Sequence, residues 1–167
     1  YLCGMNYFEL FDIPVCLQVN RPSLAKKYFE LQKKYHPDFY TQAGEDEQKE
    51  ALERYSFVNK ALKVLQQPDQ TIQYVLQLKG LLTENEKYEL PPGFLMEMME
   101  LNEKLVAEDP ETFKQEVAGL EHELYEEVKD IFETYHNDEI TTESLLKIKE
   151  YYFKKKYLQR ILDRMDD

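Results

Sequence analysis

Three places in this chain bring together side chains that could do chemistry, and each holds one of its three histidines. His36-Pro37-Asp38 sets an imidazole and a carboxylate two residues apart across a proline. A carboxylate on a rigid turn can accept two hydrogen bonds from a partner's arginine fork, and the imidazole can add a second polar contact. Glu121-His122-Glu123 and the pair Glu133 and His136 raise the question of metal ligation instead. A di-metal site inside a helical bundle needs Glu-x-x-His twice, from facing helices. Gly119 occupies the position three before His122, so only Glu133 and His136 keep the spacing, and Glu121-His122-Glu123 reads as a solvated helix face. The chain has no glycine-rich phosphate loop and no nucleophile elbow. No catalytic residue, metal or cofactor is expected.

The tripeptide has to be positioned by its neighbours. Pro37 biases His36 away from helical backbone angles, so a helix reaching it ends there and leaves His36 and Asp38 on a turn, both facing outward. Leu24, Tyr28, Leu31 and Tyr35 recur at helical spacing before the turn, and Ala51, Tyr55, Val58, Leu62 and Leu65 recur after it. These predict two antiparallel helices joined by a polar stretch over residues 37–46 that includes Gly44. Asn20 is placed to cap the first of them ahead of Pro22. A short opening helix at Tyr7 to Phe11 and another from Pro68 to Lys79 complete a four-helix unit closed by Gly80.

Pro91-Pro92-Gly93 and Asp109-Pro110 punctuate the second half, which reads as three helices. In the longest, Phe113, Val117, Leu120, Leu124, Ile131 and Tyr135 mark an apolar stripe, and Thr141 or Thr142 caps the last. The helix after Pro92 is unusual in its width. Phe94, Met98, Leu101 and Leu105 follow core spacing, while Leu95, Met96 and Met99 add apolar surface on adjoining faces edged by Glu100 and Glu103. One helix of a three-helix bundle seldom buries so wide an arc. The surplus suits a protein partner, because methionines adapt their shape and carboxylates fix register against cations. With no strand-like alternation, the expected fold is all-α.

With 43% hydrophobic and 13% aromatic residues, the 167-residue chain has material for real cores. Its net charge of −12 argues against nucleic-acid binding, which needs clustered cations. Arg21, Lys26, Lys27, Lys33 and Lys34 against the single Glu30 leave the helix before the tripeptide at +4, a local field suited to steering toward an acidic partner. No apolar run approaches a membrane span, and the amino terminus lacks the basic and apolar regions of a secretion signal. Cys3 and Cys16 form no C-x-x-C, so neither a disulfide framework nor a zinc site is expected, and a reducing compartment is the simplest reading. Residues 1–4, ahead of Met5, read as a cloning remnant or the end of a processed segment.

Residues Tyr7 to Gly80 resemble a J domain, the module by which co-chaperones engage chaperones of the DnaK and HscA class. The likeness lies in His36-Pro37-Asp38, the basic helix before it, and the later Val58-Asn59-Lys60-Ala61-Leu62-Lys63-Val64-Leu65-Gln66-Gln67-Pro68. The opening Tyr7-Phe8-Glu9-Leu10-Phe11-Asp12-Ile13-Pro14, the stretch from Tyr74 to Gly80, and Phe94-Leu95-Met96-Glu97-Met98-Met99-Glu100-Leu101 together resemble the HscB family of iron–sulfur assembly co-chaperones. The resemblance implies a J domain over 5–80, a linker over 81–93 and a three-helix scaffold-binding domain over 94–167. It implies chaperone contacts at His36, Pro37, Asp38, Lys26, Lys27, Lys33 and Lys34. It further implies contacts to an IscU-type scaffold at Leu95, Met96, Met99, Glu100 and Glu103, with an aromatic from Tyr151 or Tyr152. The implied function is delivery of that scaffold to the chaperone with stimulation of its ATPase, in bacterial cytoplasm or a mitochondrial matrix; the alternative is a J-domain co-chaperone for another client. Two positions depart from the pattern: Thr71 stands where J domains commonly carry an arginine, and Phe39 where a lysine often follows the tripeptide. The cysteine-rich zinc module at the amino terminus of some relatives is not matched.

Overall fold

The protein is described by a computed structural model covering residues 4–135 and 139–166. Cys3 and His136 lie outside the described residues. Those described form seven α-helices and one short 3-10 turn, without a strand. By contacts the chain divides into two compact units, Tyr1–Val75 and Leu76–Asp167.

The first unit opens with α1 (Tyr7–Leu10), started by a reciprocal cap. The Asn6 side chain accepts from the Glu9 amide at 2.8 Å, and the Glu9 carboxylate accepts from the Asn6 amide at 3.3 Å. Phe8, Phe11 and Leu17 are buried behind it. Helix α2 (Arg21–Tyr35) is capped by Asn20, which accepts from the Ser23 amide at 2.9 Å with Pro22 in the first turn, as expected. Helix α3 (Glu45–Leu65) begins after Gly44, and Glu45, Asp46 and Glu47 in its first turn meet the positive end of the helix dipole. Three cross-contacts fix the α2/α3 pairing as antiparallel. The Arg21 guanidinium donates to the Gln66 carbonyl at 3.2 Å, the Tyr28 hydroxyl donates to Asn59 at 2.9 Å, and His36 meets Tyr55 with ring centroids 5.3 Å apart. Leu24, Ala51, Val58, Ala61 and Leu65 supply the buried side of the hairpin.

Helix α4 (Pro68–Leu78) crosses the division between the units, which therefore falls ahead of the expected domain end at Gly80. Gly80 adopts φ +70, its amide reaches the Gln77 carbonyl at 3.0 Å and the Leu81 amide reaches the Leu76 carbonyl at 2.9 Å. This paired bonding closes the helix with a left-handed residue that glycine adopts without steric cost.

In the second unit, residues 81–91 form no helix but are fastened in place. Leu82 is buried, Glu86 pairs with Lys149 at 2.6 Å, and the Tyr88 ring stacks on Phe153 at 4.5 Å. The Lys149 ammonium holds the Glu86 carboxyl below the usual carboxylate range, chiefly by hydrogen bonding. Three long helices follow: α5 (Pro92–Ala107), α6 (Pro110–Thr134) and α7 (Thr142–Asp163). Asp109 caps α6 by accepting from the Thr112 amide at 3.0 Å, and Thr141 caps α7 by accepting from the Ser144 amide at 3.1 Å. Phe94, Met98 and Leu101 of α5 meet Phe113 and Val117 of α6 and Leu158 and Ile161 of α7 in one core. Lower on α6 the buried positions are Val128 and Phe132. The stripe expected through Ile131 is therefore displaced by one residue: Ile131 is half-buried, while Phe132 packs edge-on against Tyr151 at 5.7 Å. Over a helix this long, 3.6-residue turns make neighbouring positions share the core edge, and the larger aromatic takes the interior.

Candidate functional site

The first candidate surface is built at the end of α2. His36 leaves the helix with ψ 130, in extended geometry, and Pro37–Tyr40 form the 3-10 turn that follows. The proline argument from sequence holds here, since its ring excludes helical angles at His36. The Tyr40 hydroxyl donates back to the Lys34 carbonyl at 2.7 Å, tying the turn to the last turn of α2. Asp38 is the exposed member of the tripeptide, its side chain 84% accessible. His36 does not face freely outward as expected: its side chain is 36% accessible and meets Tyr55 and Phe39 edge-on. The reason is that α3 returns alongside the turn and presents Tyr55 to the imidazole. Nδ1 of His36 accepts from the Asp38 amide at 3.2 Å and lies 3.6 Å from the Asp38 carboxylate, contacts that orient the ring on the turn. The turn therefore offers a carboxylate acceptor beside an oriented imidazole.

Lys26, Lys33 and Lys34 on α2 are exposed, whereas Lys27 is half-buried and its ammonium donates to the Asp12 carbonyl. Lys27 thus holds the loop after α1 while contributing its charge to the basic helix. Phe29 and Phe39 are 65% and 69% exposed, an apolar addition to this face that periodicity does not forecast. Thr71 is buried, and its hydroxyl donates to the Val64 and Gln67 carbonyls, each at 3.0 Å. It ties α4 to the end of α3 from inside, where an exposed arginine contact has no counterpart.

The second surface lies on α5. Its core side is occupied by Phe94, Met98 and Leu101, and at 100° per residue Met99, Glu103 and Met96 fall on the opposite side. Met96 and Met99 are each 65% exposed, Leu95 is 37% exposed at the edge, and Glu100 and Glu103 are exposed. Five expected contact residues thus share one accessible surface. Tyr151 and Tyr152 do not join it: both are buried, at 7% and 8% exposure. Tyr151 packs on Phe132, and Tyr152 lies edge-on to Phe153. The expectation that one of them presents an aromatic ring at the surface is corrected accordingly. Phe153 and Tyr157 are the half-buried rings of that stretch, and both line a cleft with Leu95.

Among the described residues no group of three or more histidine, cysteine, aspartate or glutamate side chains is arranged to hold a metal ion. His122 lies 3.9 Å from Glu126, both well exposed. Cys16 is a half-buried free thiol whose pKa is raised by burial. No helix among the described residues is long and apolar enough to cross a membrane.

A helical hairpin whose two long helices are joined through a His-Pro-Asp turn has the arrangement of a J domain, the module that marks the class of J-domain co-chaperones, and three long helices follow it. A family model described as the HSCB C-terminal oligomerisation domain matches residues 90–166. The chain is 35% identical over 137 residues to the co-chaperone protein HscB homolog of Vibrio parahaemolyticus, an alignment covering 72% of this chain and 80% of that protein. The structure of chaperone HscB from Vibrio cholerae superposes with a TM-score of 0.73 at 26% identity, covering 97% of this chain and 96% of that one. Human co-chaperone protein HscB superposes with a TM-score of 0.79 at 28% identity, covering 96% and 80%. The chain belongs to the HscB family of co-chaperones.

Proposed function

We propose that this protein binds an IscU-type iron–sulfur scaffold through α5 and delivers it to a DnaK/HscA-class chaperone, whose ATPase its J domain stimulates to promote cluster transfer. The observation that carries the client half is the exposed Leu95, Met96 and Met99 surface edged by Glu100 and Glu103, on a helix whose core side is already filled. The His36-Pro37-Asp38 turn with Lys26, Lys27, Lys33 and Lys34 carries the chaperone half. The protein breaks no bond and needs no cofactor in this scheme; it changes a partner's ATP cycle by binding. The bacterial relative favours bacterial cytoplasm as the place of action, with a mitochondrial matrix as the alternative.

The test is calorimetry with an IscU-type scaffold, using Leu95→Ala combined with Met99→Ala as the variant and circular dichroism as a folding control. If these residues are the anchors, the double substitution weakens binding by about 2 kcal/mol, roughly thirtyfold. Absence of binding by the unaltered protein would leave a J-domain co-chaperone with another client.

A further inference from the structure

The apolar surface of α5 lies between two flanks of opposite charge. On the side toward α7, Leu95 borders a cleft of about 610 Å³ whose lining includes Lys87, Lys156 and Arg160, with Phe153 and Tyr157 as its aromatic wall. Two carboxylates also line it. Glu86 is already paired with Lys149, which leaves Glu89 as the one acid there without an ion pair among the described residues, against three cations. Lys156 rests its ammonium over the Tyr152 ring at 5.7 Å, and Arg160 makes no side-chain ion pair or hydrogen bond among the described residues. On the side toward α6, a second groove of about 430 Å³ is lined by Glu97, Glu100, Glu116 and Glu123. Its single cation, Lys104, is engaged by Glu116 at 3.2 Å, and that carboxylate raises the lysine pKa.

The order across α5 follows from helical geometry. At 100° per residue, with Phe94 pointing into the core, Leu95 falls toward α7, Met99 and Met96 face out, and Glu100 and Glu97 fall toward α6. Contacts between the helices agree with both flanks: Asn102 of α5 accepts from Arg164 of α7, and Lys104 of α5 pairs with Glu116 of α6. The surface is therefore basic, apolar and acidic in sequence across the helix width.

Building on the scaffold reading above, we propose that this transverse polarity orients the client. The α7-side cleft receives an acidic segment of the scaffold, and the α6-side groove faces its cations. Methionines can bind a partner in more than one pose because they adapt their shape. Opposed charge flanks remove that freedom, because a partner turned by half a revolution would meet like charge on both sides. In a chain of net charge −12, a cationic cleft beside the client surface is also a local exception, and its field steers an acidic segment to that edge.

The test inverts the flanks while leaving net charge unchanged. A quadruple variant, Lys156→Glu, Arg160→Glu, Glu97→Lys and Glu100→Lys, is titrated with an IscU-type scaffold at low and at high salt. Lys156→Gln with Arg160→Gln serves as the milder companion, and circular dichroism monitors folding. The quadruple variant is expected to bind about tenfold or more weakly at low salt, with the deficit shrinking as salt screens the flanks. The milder variant is expected to flatten the salt dependence, a response that loss of packing alone would not give. Wild-type affinity in a folded quadruple variant, with binding still lost in Leu95→Ala/Met99→Ala, would overturn the orientation proposal while the scaffold reading stood. No binding by the unaltered protein would overturn both.

Discussion

His36 shows how one residue can be legible in sequence at its backbone and hidden at its side chain. The end of α2 at Tyr35 follows from Pro37 alone, since proline denies helical angles to the residue before it. What holds the imidazole does not follow from local sequence, because Tyr55 arrives from α3, nineteen positions on, and its contact exists only once the hairpin closes. The same limit applies at Tyr151 and Tyr152. Aromatic and aliphatic residues surround α7 on several sides, so periodicity cannot say which ring faces out, and the bundle buries both. The polar half of the turn remains accessible, and its role can be tested at single-residue resolution. His36→Gln keeps a polar side chain of similar size but loses the imidazole and its ring contacts. It is expected to remove most stimulation of a DnaK-class ATPase, read as steady-state phosphate release, while the far-ultraviolet circular dichroism spectrum is unchanged. Normal stimulation by that variant would mean that the turn is not the docking point.

Elements were the most readable scale, because caps and breakers act locally. Asn20, Asp109 and Thr141 each stand where a side-chain acceptor is needed, and each accepts from the amide three residues on. The apolar excess of α5 was also legible, since Leu95, Met96 and Met99 lie outside the arc set by Phe94, Met98 and Leu101. Register within α6 was not fully legible: Ile131 and Phe132 are both apolar, and only packing against Tyr151 decides between them. The charge of the α5 flanks was less legible still, because the cations come from α7 and from Lys87, and the acids come partly from α6. Gly80 gives a direct test of an element boundary. At φ +70 with no heavy atom near its missing Cβ, alanine there meets backbone strain and no clash. Gly80→Ala is expected to cost about 1 kcal/mol, measured by urea unfolding, because a left-handed L-residue carries roughly that penalty. An unchanged midpoint would show that the end of α4 does not depend on this closure.

At the scale of the whole molecule, the two surfaces sit on different compact units and share no residue. Their ligands are therefore expected to be separable in single-partner measurements and linked only when both partners are present. His36→Gln should bind an IscU-type scaffold as tightly as the unaltered protein. Leu95→Ala/Met99→Ala should stimulate a chaperone's ATPase normally in the absence of scaffold. The informative quantity is the third measurement, stimulation with scaffold added. Under the proposed function, capture on α5 would raise the scaffold's local concentration at a chaperone held by the J domain, as linkage of two binding events requires. That gain should fall to background in either variant, so that each loses the coupled effect while keeping one of its parts. A loss of scaffold affinity in His36→Gln, measured by calorimetry, would instead place both activities on one continuous surface and contradict the division of labour between the J domain and the bundle.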